Sequence, residues 1–351
     1  MQRRKANDEN LSMGRRVFLK SSAAASLGFS SLVRSYANLA SQGIGQLYGG
    51  LNSEKYFDGA VQIVTRVPDA EAFTEGPASA PDGSIFFTNI PVSRIYRWNP
   101  ESRDLSVFRE DSGSANGLLV TPDGDLLACE QARGRVTRMN LENGRGEVVA
   151  DQYQGKPIDP PNDLVMDRRG RIFFSSRPTS TVLSRGAVNA VYRVDPGGEV
   201  SRILAEPDVH MPNGLALSPN ETTLYLVEAH PDERHNRHIR AYPLKEDGFL
   251  GQPSVIVDFY PGRSGDGMSV DREGNLYVAA GLHARRGTSE TLDTRPGIHV
   301  ISPSGKLLGF AETPVDTVTN CTFGGSDRKT LYITCGPYLL RVRTKVGGLR
   351  E

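Results

Sequence analysis

Cysteine is scarce in this chain: three residues, Cys129, Cys321 and Cys335, are scattered through 351 positions. That excludes a disulfide scaffold and any zinc site built on a cysteine cluster. Net charge is missing as well, because 41 basic residues balance 41 acidic ones. A nucleic-acid binder held by a basic surface is therefore disfavoured. No Gly-x-Ser-x-Gly elbow occurs, so serine nucleophilic hydrolysis lacks its usual signature. Beyond about residue 60 there is also no amphipathic helical periodicity. What the chain has in quantity is turn chemistry, with 37 Gly and 22 Pro, which suits an all-β fold better than a helix bundle.

The balanced charge is an average over two unlike parts. Residues 1–37 hold seven basic and two acidic residues, so removing them leaves 34 against 39, a formal charge of −5. Within this segment Arg3, Arg4 and Lys5 precede an Ala/Ser/Leu-rich stretch, and small residues follow at Ser35-Tyr36-Ala37. This is the layout of an export signal with cleavage after Ala37. Arg15-Arg16 followed by Val17-Phe18-Leu19-Lys20 resembles the twin-arginine motif, with Gly14 where Ser or Thr is commoner. The apolar part is too short and too mild for a spanning helix, so no stable membrane association is expected after cleavage. The resemblance implies delivery of a folded protein to the periplasm by the twin-arginine export machinery. Residues 38–58, rich in Ser, Gly and Asn, read as a linker, and 59–351 as one domain.

That domain is one motif written six times. TEGPASAPDGSIFF, ANGLLVTPDGDLLA, PNDLVMDRRGRIFF, PNGLALSPNETTLYL, GDGMSVDREGNLYV and TNCTFGGSDRKTLYI each read strand, tight turn, strand. A further strand follows, as in SRIYRWN (93–99), GRVTRMN (134–140) and AVYRVDP (190–196). Spacings of 41 to 54 residues predict the blades of a six-bladed β-propeller. The run VQIVTR (61–66) is placed to supply the outer strand of the last blade and close the ring.

Register within the repeats points to a site. Glu75 to Ile85, Asn116 to Leu126, Asn162 to Ile172 and Asp266 to Leu276 are each ten positions apart. Asn213 to Leu224 and Asn320 to Leu331 are eleven, their turns being one residue longer. Equivalent positions in a propeller are related by rotation, so these six oxygen-bearing residues should form a ring around the central channel. Asn-Gly and Asp-Gly are also common turn pairs, and that reading fits Asn116-Gly117, Asn213-Gly214 and Asp266-Gly267 one at a time. It does not account for Glu75 and Asn162, which keep the same phase. Oxygen donors without thiolate or imidazole suit a hard cation: calcium first, then magnesium or manganese. Zinc comes last, since it ordinarily brings His or Cys.

Taken together, Glu75-Gly76-Pro77 with PDGSIFFTNIP, SANGL, PPNDLVMD, MPNGLALSPN, GDGMSVDREGNLYV and TNCTFGGSDRKTLYIT resemble the senescence marker protein/gluconolactonase (regucalcin-like) family over residues 60–345. The resemblance implies a propeller with one axial divalent metal held by Glu75, Asn162, Asn213 and Asp266. It implies hydrolysis of a sugar lactone, with Asn116 near the metal and touching substrate. In that chemistry Asp266 is the candidate base and ligand, Glu75 the primary charge, and Asp163 a residue that tunes the metal from behind. Phosphotriester hydrolysis on a similar ligand set is the alternative enzyme reading. From another class, the propeller is a non-catalytic periplasmic ligand-binding module with a structural calcium.

Two departures from the family pattern stand out. Where relatives often carry TDPPYG, this chain has Ser175-Ser176-Arg177-Pro178-Thr179-Ser180, which makes Arg177 a candidate contact for an anionic group. Residues 283–295 (HARRGTSETLDTR) are extra length before the final strand of their repeat, either a lid or, as expected here, a solvated loop. Glu130 ends a strand near the channel and is the remaining substrate-facing candidate, with a place on the rim as the alternative. The tract His230-Pro-Asp-Glu-Arg-His235-Asn-Arg-His238 fits no standard metal spacing and reads as a rim loop; His299 reads as structural. Cys321 and Cys335 flank the last hairpin, with free buried thiols as the expected state and a disulfide as the alternative.

Overall fold

A computed structural model describes residues 48–178 and 188–349. The leader of residues 1–37, most of the linker, and Thr179 and Ser180 lie outside the described residues.

Among the described residues the strands group into six antiparallel four-stranded sheets and one short two-stranded ribbon, Gln152–Tyr153 with Lys156–Pro157. The first comprises Thr74–Ser79, Ile85–Asn89, Arg94–Asn99 and Asp104–Arg109. Ala115–Val120, Asp125–Glu130, Arg135–Asn140 and Gly146–Ala150 make the second. Pro161–Met166, Ile172–Ser176, Ala190–Val194 and Val200–Ala205 follow as the third. The fourth runs Pro212–Leu217, Thr223–Glu228, His238–Pro243, Ser254–Asp258. The fifth runs Gly265–Val270, Leu276–Ala280, Gly297–Ile301, Leu307–Glu312. Val318–Gly324, Thr330–Cys335 and Tyr338–Thr344 form the sixth, completed by Phe57–Arg66 from the other end of the chain. The closing strand therefore includes 61–66, and the ring shuts by pairing Phe57 with Thr344 and Arg66 with Tyr338. This clasp joins the two ends of the chain in one sheet and closes the ring, while the outermost strand of each blade remains an edge.

Burial falls from axis to rim. The innermost strands are buried almost throughout, whereas Asp104–Arg109 and Val200–Ala205 are largely exposed or half-buried. There is no single core. Six apolar clusters each fill one interface between neighbouring blades, such as Leu127 and Cys129 against Phe174 and Tyr192, or Phe173 against Leu224 and Leu226. Both faces of a blade's inner strands are thus buried, which is why IFF, LLA and LYL read as continuous apolar runs rather than alternating ones. The residues used to align the repeats, from Ile85 to Leu331, are all buried in second strands.

Residues 48–58, assigned from sequence to the end of the linker, pack against the body. The Tyr48 hydroxyl lies 3.0 Å from His299 Nε2, and Phe310 N donates to Ser53 Oγ at 2.9 Å. His299 is buried, and that burial holds its imidazole down to about 4, consistent with the structural role expected for it.

Candidate metal centre

Each inner strand is broken by a β-bulge at the level of the oxygen ring. In blades two to five the ladder skips 116–117, 162–163, 213–214 and 266–267, two residues opposite one. The bulge falls just after Glu75 in the first blade and at Thr319 in the sixth. A bulge releases a residue from the ladder and re-aims its side chain. It explains how Asn and Asp, depleted in regular strands, occupy fixed positions within these.

Because all of them lie inside strands, the turn-pair reading of Asn116-Gly117, Asn213-Gly214 and Asp266-Gly267 is set aside. Their glycines have another reason. A Cβ on Gly214 would stand 2.3 Å from Asp266 O, and one on Gly117 would stand 2.6 Å from Asp163 Oδ1. The inner strands of successive blades therefore approach too closely at this level for any side chain on that face.

Glu75, Asn116, Asn162, Asn213, Asp266 and Asn320 come together as a ring, each between 4 and 8 % exposed. Asn213 Nδ2 donates to Asp266 Oδ1 at 2.7 Å. Asn320 Nδ2 donates to Asp163 Oδ2 at 3.2 Å, and Asn320 also bonds to the Glu75 carboxylate. The Gly76 amide donates to Glu75 Oε2 at 2.9 Å. Burial, reinforced by the neighbouring Asp266 and Asp163 carboxylates, pushes the Glu75 carboxyl well above its ordinary range. Three acidic groups crowded into a buried site repel one another unless a cation joins them. The donor set, carboxylate and amide oxygens with nothing soft among them, fits a hard divalent cation. No cluster of three His, Cys, Asp or Glu poised for a metal occurs among the described residues; the amides make this set.

Two arginines bear on the ring. Arg263, which the sequence reading did not single out, is buried and ion-paired to Asp266 Oδ2. It also donates to Val318 O at 3.0 Å and Gly281 O at 3.3 Å, linking blades five and six. Arg177 leaves the end of the strand that pairs Ser176 with Pro161, and its amide donates to Pro160 O at 3.0 Å. Burial lowers its pKa, against the opposing fields of Asp266, Glu75 and Glu228, and its Nε has no partner among the described residues.

Glu130 is not part of this assembly. Its oxygens are taken by Arg109 at 2.9 Å, Arg135 at 2.8 Å, Arg133 at 3.1 Å and the Thr137 hydroxyl at 3.1 Å. A fully buried carboxylate so engaged is a structural hub between blades one and two, and its sequence assignment as substrate-facing is corrected. No disulfide joins the cysteines among the described residues: Cys321 Sγ donates to Tyr277 O and Cys335 Sγ to Val315 O. Cys321 lies opposite Ile333, and Cys335 opposite Val318, so the hairpin does not face them to each other.

Residues 283–289 are exposed, as expected of a solvated loop, yet the stretch 283–295 is anchored to the body. His283 Nε2 is 3.0 Å from Thr313 O, Ser289 Oγ donates to Pro231 O at 2.6 Å, and Thr291 bridges to Gly262. The expected rim loop around His230 and His235 is present. His210, His235 and His230 lie against one another in succession, with ring centroids 4.8 and 4.0 Å apart and the rings tilted by 53° and 39°.

Comparison with known proteins agrees with this fold. A gluconolactonase of Zymomonas mobilis is 29% identical over 304 residues, covering 79% of this chain and 80% of that protein. A pentonolactonase of Haloferax volcanii is 30% identical, covering 77% and 84%. The structure of a gluconolactonase from Xanthomonas campestris aligns with a TM-score of 0.70 at 28% identity, covering 83% of this chain and 91% of that one. Residues 73–336 match the family described as the SMP-30/Gluconolactonase/LRE-like region. The chain belongs to that family.

Proposed function

We propose that this chain is an exported lactonase, opening a sugar lactone at a single cation on the propeller axis. What supports the reading is that Glu75, Asn162, Asn213 and Asp266 are all buried on innermost strands, with Asn213 bonded to Asp266 and Asp266 acting on Glu75, in a chain related to a gluconolactonase and a pentonolactonase. Glu75 and Asp266 would supply the charge that holds the cation, with Asn162 and Asn213 completing the oxygen set. Calcium is the first candidate, magnesium and manganese the next, and zinc the last. Bound there, the cation supplies Lewis-acid polarisation of the lactone carbonyl.

The protein's own groups do the rest. Asp266 accepts the proton of the attacking water, and Arg263 fixes its carboxylate from one side. Water adds to the carbonyl carbon, the acyl C–O bond of the ring breaks, and the leaving ring oxygen takes up the proton. The product is an open hydroxy acid. Asn116 orients the substrate through its carbonyl or a hydroxyl. Arg177, whose Nε has no partner among the described residues, would donate to the oxygens of a polyhydroxylated or anionic ligand.

The leader of residues 1–37 supports export of the folded protein by the twin-arginine machinery, leaving a periplasmic chain that begins near Asn38. Replacing Arg15 and Arg16 by Lys should strand the full-length protein in the cytoplasm, read by fractionation and N-terminal sequencing.

The decisive experiment is a lactone panel assayed after chelation and again with calcium, magnesium, manganese or zinc restored. Turnover lost on chelation and regained with a cation is the expected result. No lactone opened above background with any of these metals would sink the proposal.

A further inference from the structure

Arg237 is the largest side chain fully buried in the described structure, 1 % exposed, and no carboxylate lies within ion-pair distance of it among the described residues. A buried guanidinium without an anion is costly unless every donor is satisfied. Here every donor direction is used. Nε donates to His230 O at 3.1 Å, and Nη1 to Pro261 O at 2.8 Å and Gly262 O at 3.2 Å. Nη2 donates to Pro231 O at 2.7 Å and to Ser289 Oγ. The Tyr260 ring lies against it, 5.4 Å from guanidinium carbon to centroid.

These acceptors belong to three separate segments. His230 and Pro231 start the rim loop that leaves blade four. Pro261 and Gly262 lead directly into Arg263 and Asp266. Ser289 belongs to the extra stretch 283–295. The same three segments are also bonded to one another: Ser289 Oγ donates to Pro231 O at 2.6 Å, and Thr291 N donates to Pro261 O at 2.9 Å. The stretch is closed at its base, where Leu282 N meets Thr294 O at 3.3 Å. Further along, Arg286 Nη2 donates to Thr317 Oγ1 at 3.1 Å, three residues before Asn320 of the ring.

We propose that Arg237 is a positioning residue for the axial site, locking residues 283–295 into a fixed wall and holding the Pro261–Asp266 segment in register beneath it. The rigid fork of five donors reaches three segments of the chain at once, which a lysine cannot do. The wall bounds the lactone on one side, so it acts on substrate binding. The Pro261–Gly262 contacts act on Asp266 through Arg263, so they reach the cation and the proton transfer. This inference rests on the reading of Asp266 as part of a cation and lactone site.

The test uses the full mature chain with Arg237→Ala, Arg237→Lys and Ser289→Ala, each checked for native circular dichroism. Trypsin nicking at Arg285 or Arg286, followed by fragment mass, reads the clamp without any ligand. Arg237→Ala should nick about tenfold faster and Ser289→Ala a few-fold faster, as locally freed segments do. Calcium titration reads the second arm: Arg237→Ala should lose about tenfold in affinity, whereas Ser289→Ala should stay within about twofold. With the best lactone, KM should rise in both variants and kcat should fall only when Arg237 is changed.

Folded Arg237 variants that keep wild-type nicking, calcium affinity and KM would overturn the proposal. If Arg237→Ala does not fold, Arg237→Lys and Ser289→Ala decide: unchanged nicking and KM in both sinks it. A wild type that opens no lactone counts against the proposed activity alone, because nicking and calcium affinity still decide the role of Arg237.

Discussion

Asn213 and Asp266 meet across the seam between blades four and five, the amide Nδ2 donating to the carboxylate Oδ1 at 2.7 Å. An amide has a donor end and an acceptor end, so the same side chain that quiets Asp266 by donation carries an oxygen able to face a cation. Asn162, one blade back in the ring, has the same capacity. In the proposed reading, the amides would make the ring tolerable without an ion and competent to hold one.

Asn213→Ala separates these roles. Losing the donor to a buried carboxylate should destabilise the metal-free protein by about 1–3 kcal/mol. Losing a ligand oxygen should weaken calcium binding by about tenfold or more. Thermal unfolding in chelator and calorimetric titration measure the two effects. A variant with unchanged calcium affinity would remove Asn213 from the ligand set.

The Glu75 carboxyl fixes a pH dependence. Its folded pKa is raised by burial and by Asp266 and Asp163, above an ordinary value of 4.5. The folded state therefore binds more protons than the unfolded one between those two values, and stability falls as pH rises through that window. The metal-free protein should melt at lower temperature as pH climbs out of the usual carboxylate range towards neutrality. Calcium should restore the loss, and Glu75→Gln should flatten the profile. Melting temperature followed from pH 4 to 8, with and without chelator, checks all three outcomes.

Glu130 predicts the opposite sign. Burial pushes its carboxyl up, but the hydrogen bond from Arg135 and the Arg109 and Arg133 charges outweigh that and hold it low. Its contribution is present above the ordinary carboxylate pKa and is lost as pH falls through the folded value. Glu130→Gln should lower stability by about 2 kcal/mol, allowing for the partial exposure of its arginine partners. Lactone KM should be unchanged, because the residue lies outside the ring. A large rise in KM with normal stability would return Glu130 to the pocket.

The repeat count, the closing strand and the six ring positions were legible because rotation about an axis forces equal phase on equivalent residues. Glu75 and Asn162 were informative for breaking the Asn-Gly pattern while keeping the phase. The bulges left no compositional mark, since the ladder merely skips two residues. Arg263 sits in PGRSGDG, where nothing but the fold brings it onto Asp266. Glu130 misled because a strand end near the channel does not reveal that Arg133 and Arg135 fold back onto it while Arg109 arrives from the first blade. In the tract 230–238 the histidines drew the eye, yet the residue tying the rim together is Arg237, whose acceptors lie up to 52 positions away.

Stability should be distributed around the ring, one blade interface at a time. Phe174 is fully buried between blades two and three, stacked 5.2 Å from Tyr192. Phe174→Ala should cost about 3–5 kcal/mol. Since the axial ring is built from the innermost strands of all six blades, calcium at saturation should recover part of the lost melting temperature. A melting shift indifferent to calcium would show that this interface and the ring are not coupled.

Asp266→Asn distinguishes an enzyme from a binding module. The substitution keeps an oxygen at the ring and nearly the same volume, while removing the basicity needed to take a proton from water. Assayed at saturating calcium, so that weakened cation binding is compensated, kcat should fall by about a hundredfold or more. Binding of a lactone analogue should persist, because Asn116 and Arg177 are untouched. A module that only binds its ligand would show no turnover in the wild type and little change in affinity in the variant. Undiminished turnover in Asp266→Asn would move the proton acceptor elsewhere, and the other carboxylates at the ring, Glu75 and Asp163, would be the next to test.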